Sequence, residues 1–207
     1  MNQPKTEKTK IKLCGLTRPC DIAAANRLLP DYIGFVFAKK SRRYVPLEQA
    51  AALKKELDPR IRSVGVFVDE APEQIEQLTN QGIIDVIQLH GHEDAAYIRR
   101  LRTLTGAPVI QAFRIDTADD IAAAENSIAD FVLLDSGSGG TGTSFDWRLP
   151  RTLKRPFFLA GGLNPENVSG AVHCLHPYAV DVSSGIETNG NKDEEKMIRF
   201  TAAVRSV

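Results

Sequence analysis

Apolar stretches of strand length alternate with stretches of helical period from one end of this 207-residue chain to the other. That alternation constrains the fold more than any single motif. Strands are expected over residues 11–15, 32–37, 62–68, 86–90, 108–114, 131–135, 156–160 and 179–183. Helices are expected over 21–29, 46–57, 72–82, 94–105, 117–126, 165–174 and 193–204, with a short piece near 146–153. Pro46, Pro72 and Pro165 suit a first helical position, and Asn164 suits the N-cap before Pro165.

Strands that alternate with helices require parallel, right-handed crossovers. Eight such units close as a compact (β/α)8 barrel or open as a doubly wound sheet. An open sheet usually carries one strong phosphate fingerprint near its start, and none stands there. The expected fold class is therefore α/β, a (β/α)8 barrel of eight parallel strands. A single domain over residues 10–207 is expected, after a short polar tail over residues 1–9. The longest irregular stretch, Ser136 to Asp146, has the length of a functional loop.

Composition removes several classes of partner. With 26 basic and 26 acidic residues the formal net charge is zero, so no overall field favours nucleic acid or an anionic membrane. Lys39-Lys40, Arg42-Arg43 and Lys54-Lys55 read as solvated faces, with Arg43 set apart below. Three cysteines, Cys14, Cys20 and Cys174, make no disulfide framework and suit a reducing cytoplasm, the expected location. No apolar run approaches the ~20 residues of a membrane span. The Lys-rich start has no apolar segment of a secretory signal. Monomer and homodimer both stay open.

In such barrels the site is built at the C-terminal ends of the strands. Side chains on a strand alternate faces. If Ile11, Leu13, Val180 and Val182 meet the helices, then Lys12, Cys14, Asp181 and Ser183 point into the barrel. The first and eighth strands are neighbours in a closed barrel, so Lys12 and Asp181 can pair there. An ionisable group facing the interior needs such a partner. Cys14 stands at a strand end beside Gly15, and a nearby Lys favours its thiolate. Its thiol is accordingly expected to ionise below the ordinary value of about 8.5. Cys20 and Cys174 read as packing residues.

Asp135 closes the apolar strand Phe131-Val132-Leu133-Leu134, as a cap or as a general acid. Cys14 and Asp135 come from strands three steps apart around the ring and can flank a small substrate. Gly137 to Ser144 nearly matches two nucleotide motifs, but Thr143 stands where a Walker lysine is required. The loop remains a donor-rich segment able to wrap an anion. Gly161-Gly162 before Asn164, and Ser183-Ser184-Gly185 after the eighth strand, occupy the recurrent phosphate position of these barrels. His90 and His92 provide two nitrogens, short of the three protein ligands of a zinc site. No metal is expected, and His90 reads as a polar lining residue.

The sequence resembles the phosphoribosylanthranilate isomerase family of tryptophan biosynthesis, from about Lys10 to the C-terminus. Its carriers are Lys12-Leu13-Cys14-Gly15-Leu16-Thr17, Gly34-Phe35-Val36-Phe37, Ser41-Arg42-Arg43-Tyr44, Val64-Gly65-Val66-Phe67-Val68 and Gln88-Leu89-His90-Gly91. Leu133-Leu134-Asp135, Gly140-Thr141-Gly142, Gly161-Gly162-Leu163-Asn164-Pro165 and Asp181-Val182-Ser183-Ser184-Gly185 continue it in order. The resemblance implies a (β/α)8 isomerase acting on N-(5-phosphoribosyl)anthranilate, a small phosphosugar, by an Amadori rearrangement. It implies Cys14 as general base, Asp135 as general acid and Arg43 as anchor of the anthranilate carboxylate. It places the phosphate around Gly142, Gly161, Gly162, Ser184 and Gly185, and it implies no cofactor. Leu13 and Ala160 depart from the family's usual Ile and Ser. The alternatives are another phosphosugar enzyme on the same barrel, or a catalytically silent phosphate-binding protein.

Overall fold

The computed structural model describes residues 8–135 and 150–207. Its strands are β1 (Lys10–Cys14), β2 (Tyr32–Val36), β3 (Arg62–Phe67), β4 (Val86–Leu89), β5 (Val109–Arg114), β6 (Phe131–Asp135), β7 (Phe157–Ala160) and β8 (Ala179–Val182). All eight pair in parallel with their sequence neighbours, and β1 pairs with β8 to close the barrel. Helices α1 (Pro19–Leu28), α2 (Leu47–Glu56), α3 (Pro72–Asn80), α4 (Ala95–Leu104), α5 (Ala118–Glu125), α6 (Val168–Leu175) and α7 (Glu194–Arg205) alternate with them. A two-stranded hairpin, β9 (Glu187–Thr188) with β10 (Asn191–Lys192), stands between β8 and α7. No helix among the described residues is long and apolar enough to cross a membrane.

The period-2 pattern of the strands has a direct physical outcome: two separate apolar layers. Outward residues such as Ile11, Leu13, Ile33, Phe35 and Leu89 pack with Ile22, Leu53, Ile75, Leu101 and Phe200 of the helices. Inward residues Tyr32, Val64, Val86, Ile110, Leu133, Phe158 and Ala179 fill the barrel itself. Above them Cys14, Val36 and Val66 form a small third cluster at the strand ends.

Two expected helices differ from those found. The α6 helix begins at Val168 rather than Pro165, because Asn164 Oδ1 accepts from Glu166 N and Asn167 N and holds residues 164–167 in a turn. Between β6 and β7 the described residues carry only a 3-10 turn, Pro150–Thr152. Residues 146–149 of the expected piece, and the loop with Gly140-Thr141-Gly142, lie outside the described residues.

Candidate active site

A cavity of about 480 Å3 opens at the C-terminal ends of the strands. That size is within the range of small-molecule sites. Cys14 reaches it from β1, Val36 from β2, Val66 from β3, Asp135 from β6 and Ala160 from β7. Arg43, His90, Gly161, Gly162, Ser183 and Ser184 reach it from the segments that follow β2, β4, β7 and β8. Strand parity carries the expected acid and base into this pocket, and the segment after β2 brings in the expected carboxylate anchor. Gly142 lies outside the described residues.

The floor is charged. Lys12 sits opposite Asp181 in the β1–β8 register, and its Nζ lies 3.0 Å from each carboxylate oxygen. Lys12 is fully buried and Asp181 nearly so, so each compensates the other's desolvation. This is the pairing expected from face alternation. Cys14 lies one face-repeat above, and Gly34, its register partner on β2, makes room for it. A Cβ on Gly34 would sit 2.6 Å from Cys14 Sγ.

The expected lowering of the Cys14 thiol does not prevail. Burial pushes it above its ordinary value, against Lys12 and Lys192, which favour the thiolate, and with Asp181, which opposes it. The sequence displays the cation two residues away but not the loss of solvent around the sulfur. The other cysteines differ from one another. Cys20 is exposed at the start of α1, which corrects its reading as a packing residue. Cys174 is partly buried against the core and accepts from Arg151 Nη2 at 2.6 Å.

Asp135 ends β6 with His90 opposite, Nε2 to Oδ2 at 3.7 Å. Gln88 Nε2 lies 3.1 Å from His90 Nδ1. An amide nitrogen donates, so His90 Nδ1 is the side turned to Gln88 and Nε2 is the side turned to Asp135. Gln88 is buried, its Oε1 has no partner among the described residues, and it lines the cavity. That oxygen is an acceptor available to a ligand hydroxyl. His92 turns away to Asp69, 3.0 Å from its Oδ2, so His90 and His92 do not converge. Among the described residues no group of three His, Cys, Asp or Glu side chains could hold a metal ion.

Arg43 is presented by the segment between β2 and α2. Ser41 Oγ accepts from Arg43 N at 3.1 Å, and Tyr44 bridges back to Val36. Gly15 has φ +79, and a Cβ there would lie 2.4 Å from Arg43 Cδ. Glycine thus lets the arginine stem cross the end of β1. The guanidinium is already gripped, with Nε donating to Glu187 Oε1 at 2.6 Å and Nη2 to Oε2 at 3.0 Å.

Gly161 and Gly162, at φ 89 and 63, turn the chain after β7. Against that turn Gly185 packs so closely that a Cβ would lie 1.9 Å from Leu163 O. The loops after β7 and β8 are therefore joined, with Ser184 exposed at the cavity.

Residues 11–203 match the family model of N-(5'-phosphoribosyl)anthranilate isomerase. The chain belongs to that family. It is 46% identical over 202 residues to the N-(5'-phosphoribosyl)anthranilate isomerase of Endomicrobium trichonymphae, covering 96% of this chain and 99% of that one. The Clostridium kluyveri isomerase is 44% identical over 200 residues, with 96% and 98% covered. The phosphoribosylanthranilate isomerase of Thermotoga maritima superposes with a TM-score of 0.88 at 36% identity, covering 96% of this chain and all of that one. A family structure in complex with reduced 1-(o-carboxyphenylamino)-1-deoxyribulose 5-phosphate superposes at 0.86, with 35% identity and 96% and 100% covered. The chain is thus a phosphoribosylanthranilate isomerase of tryptophan biosynthesis, on a (β/α)8 barrel.

Sequence reasoning missed Glu187 and Lys192, both buried behind Arg43. A signal for them existed. They flank Thr188-Asn189-Gly190-Asn191, whose Asn-Gly is a strong hairpin signal.

Proposed function

We propose that Cys14 is the general base and Asp135 the general acid of the isomerisation, with Arg43 anchoring the anthranilate carboxylate. The observation that carries this reading is the opening of all three side chains into one cavity. Asp135, protonated, donates to the ribose ring oxygen as the ring opens to a Schiff base. Cys14, as thiolate, removes the proton from C2 of the sugar. The enolamine that results tautomerises to the 1-amino-1-deoxyribulose product. Two positioned proton-transfer groups suffice for these steps. The Arg43 fork suits a carboxylate, and the joined loops at Gly161, Gly162, Ser184 and Gly185 supply backbone donors for the phosphate. His90 lines the same cavity, with its Nε2 3.7 Å from Asp135 Oδ2.

The test is a pair of variants. Cys14→Ala and Asp135→Ala should each lose about 10²–10⁴-fold in kcat, while still binding the reduced product analogue. Turnover is followed by the loss of phosphoribosylanthranilate fluorescence with chelator present. Near-normal kcat in either variant removes the role assigned to that residue. A barrel serving another phosphosugar would leave the fluorescence unchanged.

A further inference from the structure

The hairpin β9–β10 is small, yet it carries two of the few buried charges among the described residues. Its turn is Asn189-Gly190, both at positive φ (51 and 81). The register sets Lys192 across from Glu187. Their side chains are 2% and 4% exposed, and Lys192 Nζ lies 2.7 Å from Glu187 Oε1. Glu187 also takes Arg42 Nη2 at 2.7 Å and both donors of the Arg43 fork edge. Lys192 Nζ donates further to Ser183 O at 2.9 Å and lies 3.2 Å from Ser183 Oγ. Ser183 Oγ donates to Cys14 O at 3.1 Å. One continuous set of hydrogen bonds therefore links the Arg43 guanidinium, the hairpin, the end of β8 and the end of β1.

Burying a carboxylate among cations costs desolvation that an apolar pair would avoid, so closing a hairpin does not explain it. What the arrangement does provide is orientation. A guanidinium has five donors in a rigid plane, and Glu187 occupies the Nε edge. Among the described residues none accepts from Nη1. The stem is held over Gly15. The fork therefore has one setting, with donors left over where Arg43 lines the cavity.

We propose that Glu187 and Lys192 are positioning residues, a buried brace that holds the Arg43 fork in register with the strand end bearing Cys14. The ligand group it serves is an aryl carboxylate. This rests on the reading of Arg43 as the carboxylate anchor.

The experiment uses the full chain and a double-mutant cycle. Glu187→Gln should raise KM by about 10-fold or more with kcat changed far less, since it releases the fork rather than the acid or base. Arg43→Ala should raise KM by about 10–100-fold, and adding Glu187→Gln to it should change little more. A second readout is selectivity: affinity for reduced 1-(o-carboxyphenylamino)-1-deoxyribulose 5-phosphate against the same compound without its carboxyl group. Glu187→Gln and Lys192→Gln should both shrink that ratio, as Arg43→Ala does. If Arg43→Ala keeps the ratio, the anchor reading fails. If Arg43→Ala collapses it and the Glu187 variant keeps it, or acts equally in both backgrounds, the brace alone is wrong. Should Glu187→Gln not fold, Glu187→Asp keeps the charge on a shorter stem. Its KM and ratio should move the same way, and unchanged values overturn the proposal.

Discussion

At the scale of the residue, the site turns on one sulfur held between two cations and low solvation. Burial raises the Cys14 thiol, and Lys12 and Lys192 offset only part of that. The free enzyme should therefore hold Cys14 mostly as thiol at neutral pH. Iodoacetamide alkylation of Cys14 is expected to have its midpoint above about 8.5, and the rising limb of kcat/KM should follow it. Lys12→Met should move the midpoint higher still, for two reasons of the same sign: a cation is lost, and Asp181 is left uncompensated beside the sulfur. A midpoint at or below the ordinary thiol value would mean that the two lysines outweigh burial. Lys12 was legible as an inward charge because strand parity is a property of sequence. The direction of the Cys14 shift was not, because it depends on how completely neighbouring strands and loops exclude water.

At the scale of the element, three strands share a device that the sequence reading passed over. An Asp just before β2, β4 or β6 accepts the first free N–H of the strand before it: Asp31 from Ile11 N at 2.9 Å, Asp85 from Ser63 N at 2.7 Å, Asp130 from Val109 N at 2.8 Å. Each looks in sequence like a turn residue ahead of an apolar run, and only the neighbouring strand gives it a purpose. The strands themselves were legible because their apolar runs are long and sharply bounded. The start of α6 was misplaced because Asn164 caps a turn first. Asp85 also takes Lys54 Nζ at 2.6 Å and Ser63 Oγ at 2.9 Å. Burial pushes its carboxyl up, and Lys54 with Ser63 overrides that, leaving it below the ordinary range. A depressed carboxyl contributes stability that is present above its unfolded value of about 3.9 and is lost as pH falls through the folded one. Asp85→Asn should therefore lower unfolding stability at pH 7 by about 1 kcal/mol, less than a fully buried hydrogen-bonded charge because the group is partly exposed. In urea titrations that deficit should shrink toward pH 3. An equal deficit at both pH values would assign it to lost geometry rather than charge.

At the scale of the whole molecule, the barrel is closed by its first and last strands, and the seam carries the buried ion pair. Lys12 and Asp181 stand in register across it, with side chains 0% and 9% exposed. Neither can ionise alone in that position without a large desolvation cost, so the pair is stable only as a pair. Removing one member should cost about 3–5 kcal/mol, while replacing both by apolar residues of similar volume should be close to neutral. Lys12→Met is thus expected to lower the urea midpoint sharply, and Lys12→Met with Asp181→Leu to recover most of it. Activity should not recover with stability. The double variant keeps the seam filled but removes the cation that favours the Cys14 thiolate and leaves an apolar floor under the cavity. Its kcat/KM should stay depressed at neutral pH and rise only at higher pH, where the thiol ionises unaided. Recovery of activity together with stability would reduce the pair to barrel filling. Recovery of neither would mean that the seam needs the charge itself to close.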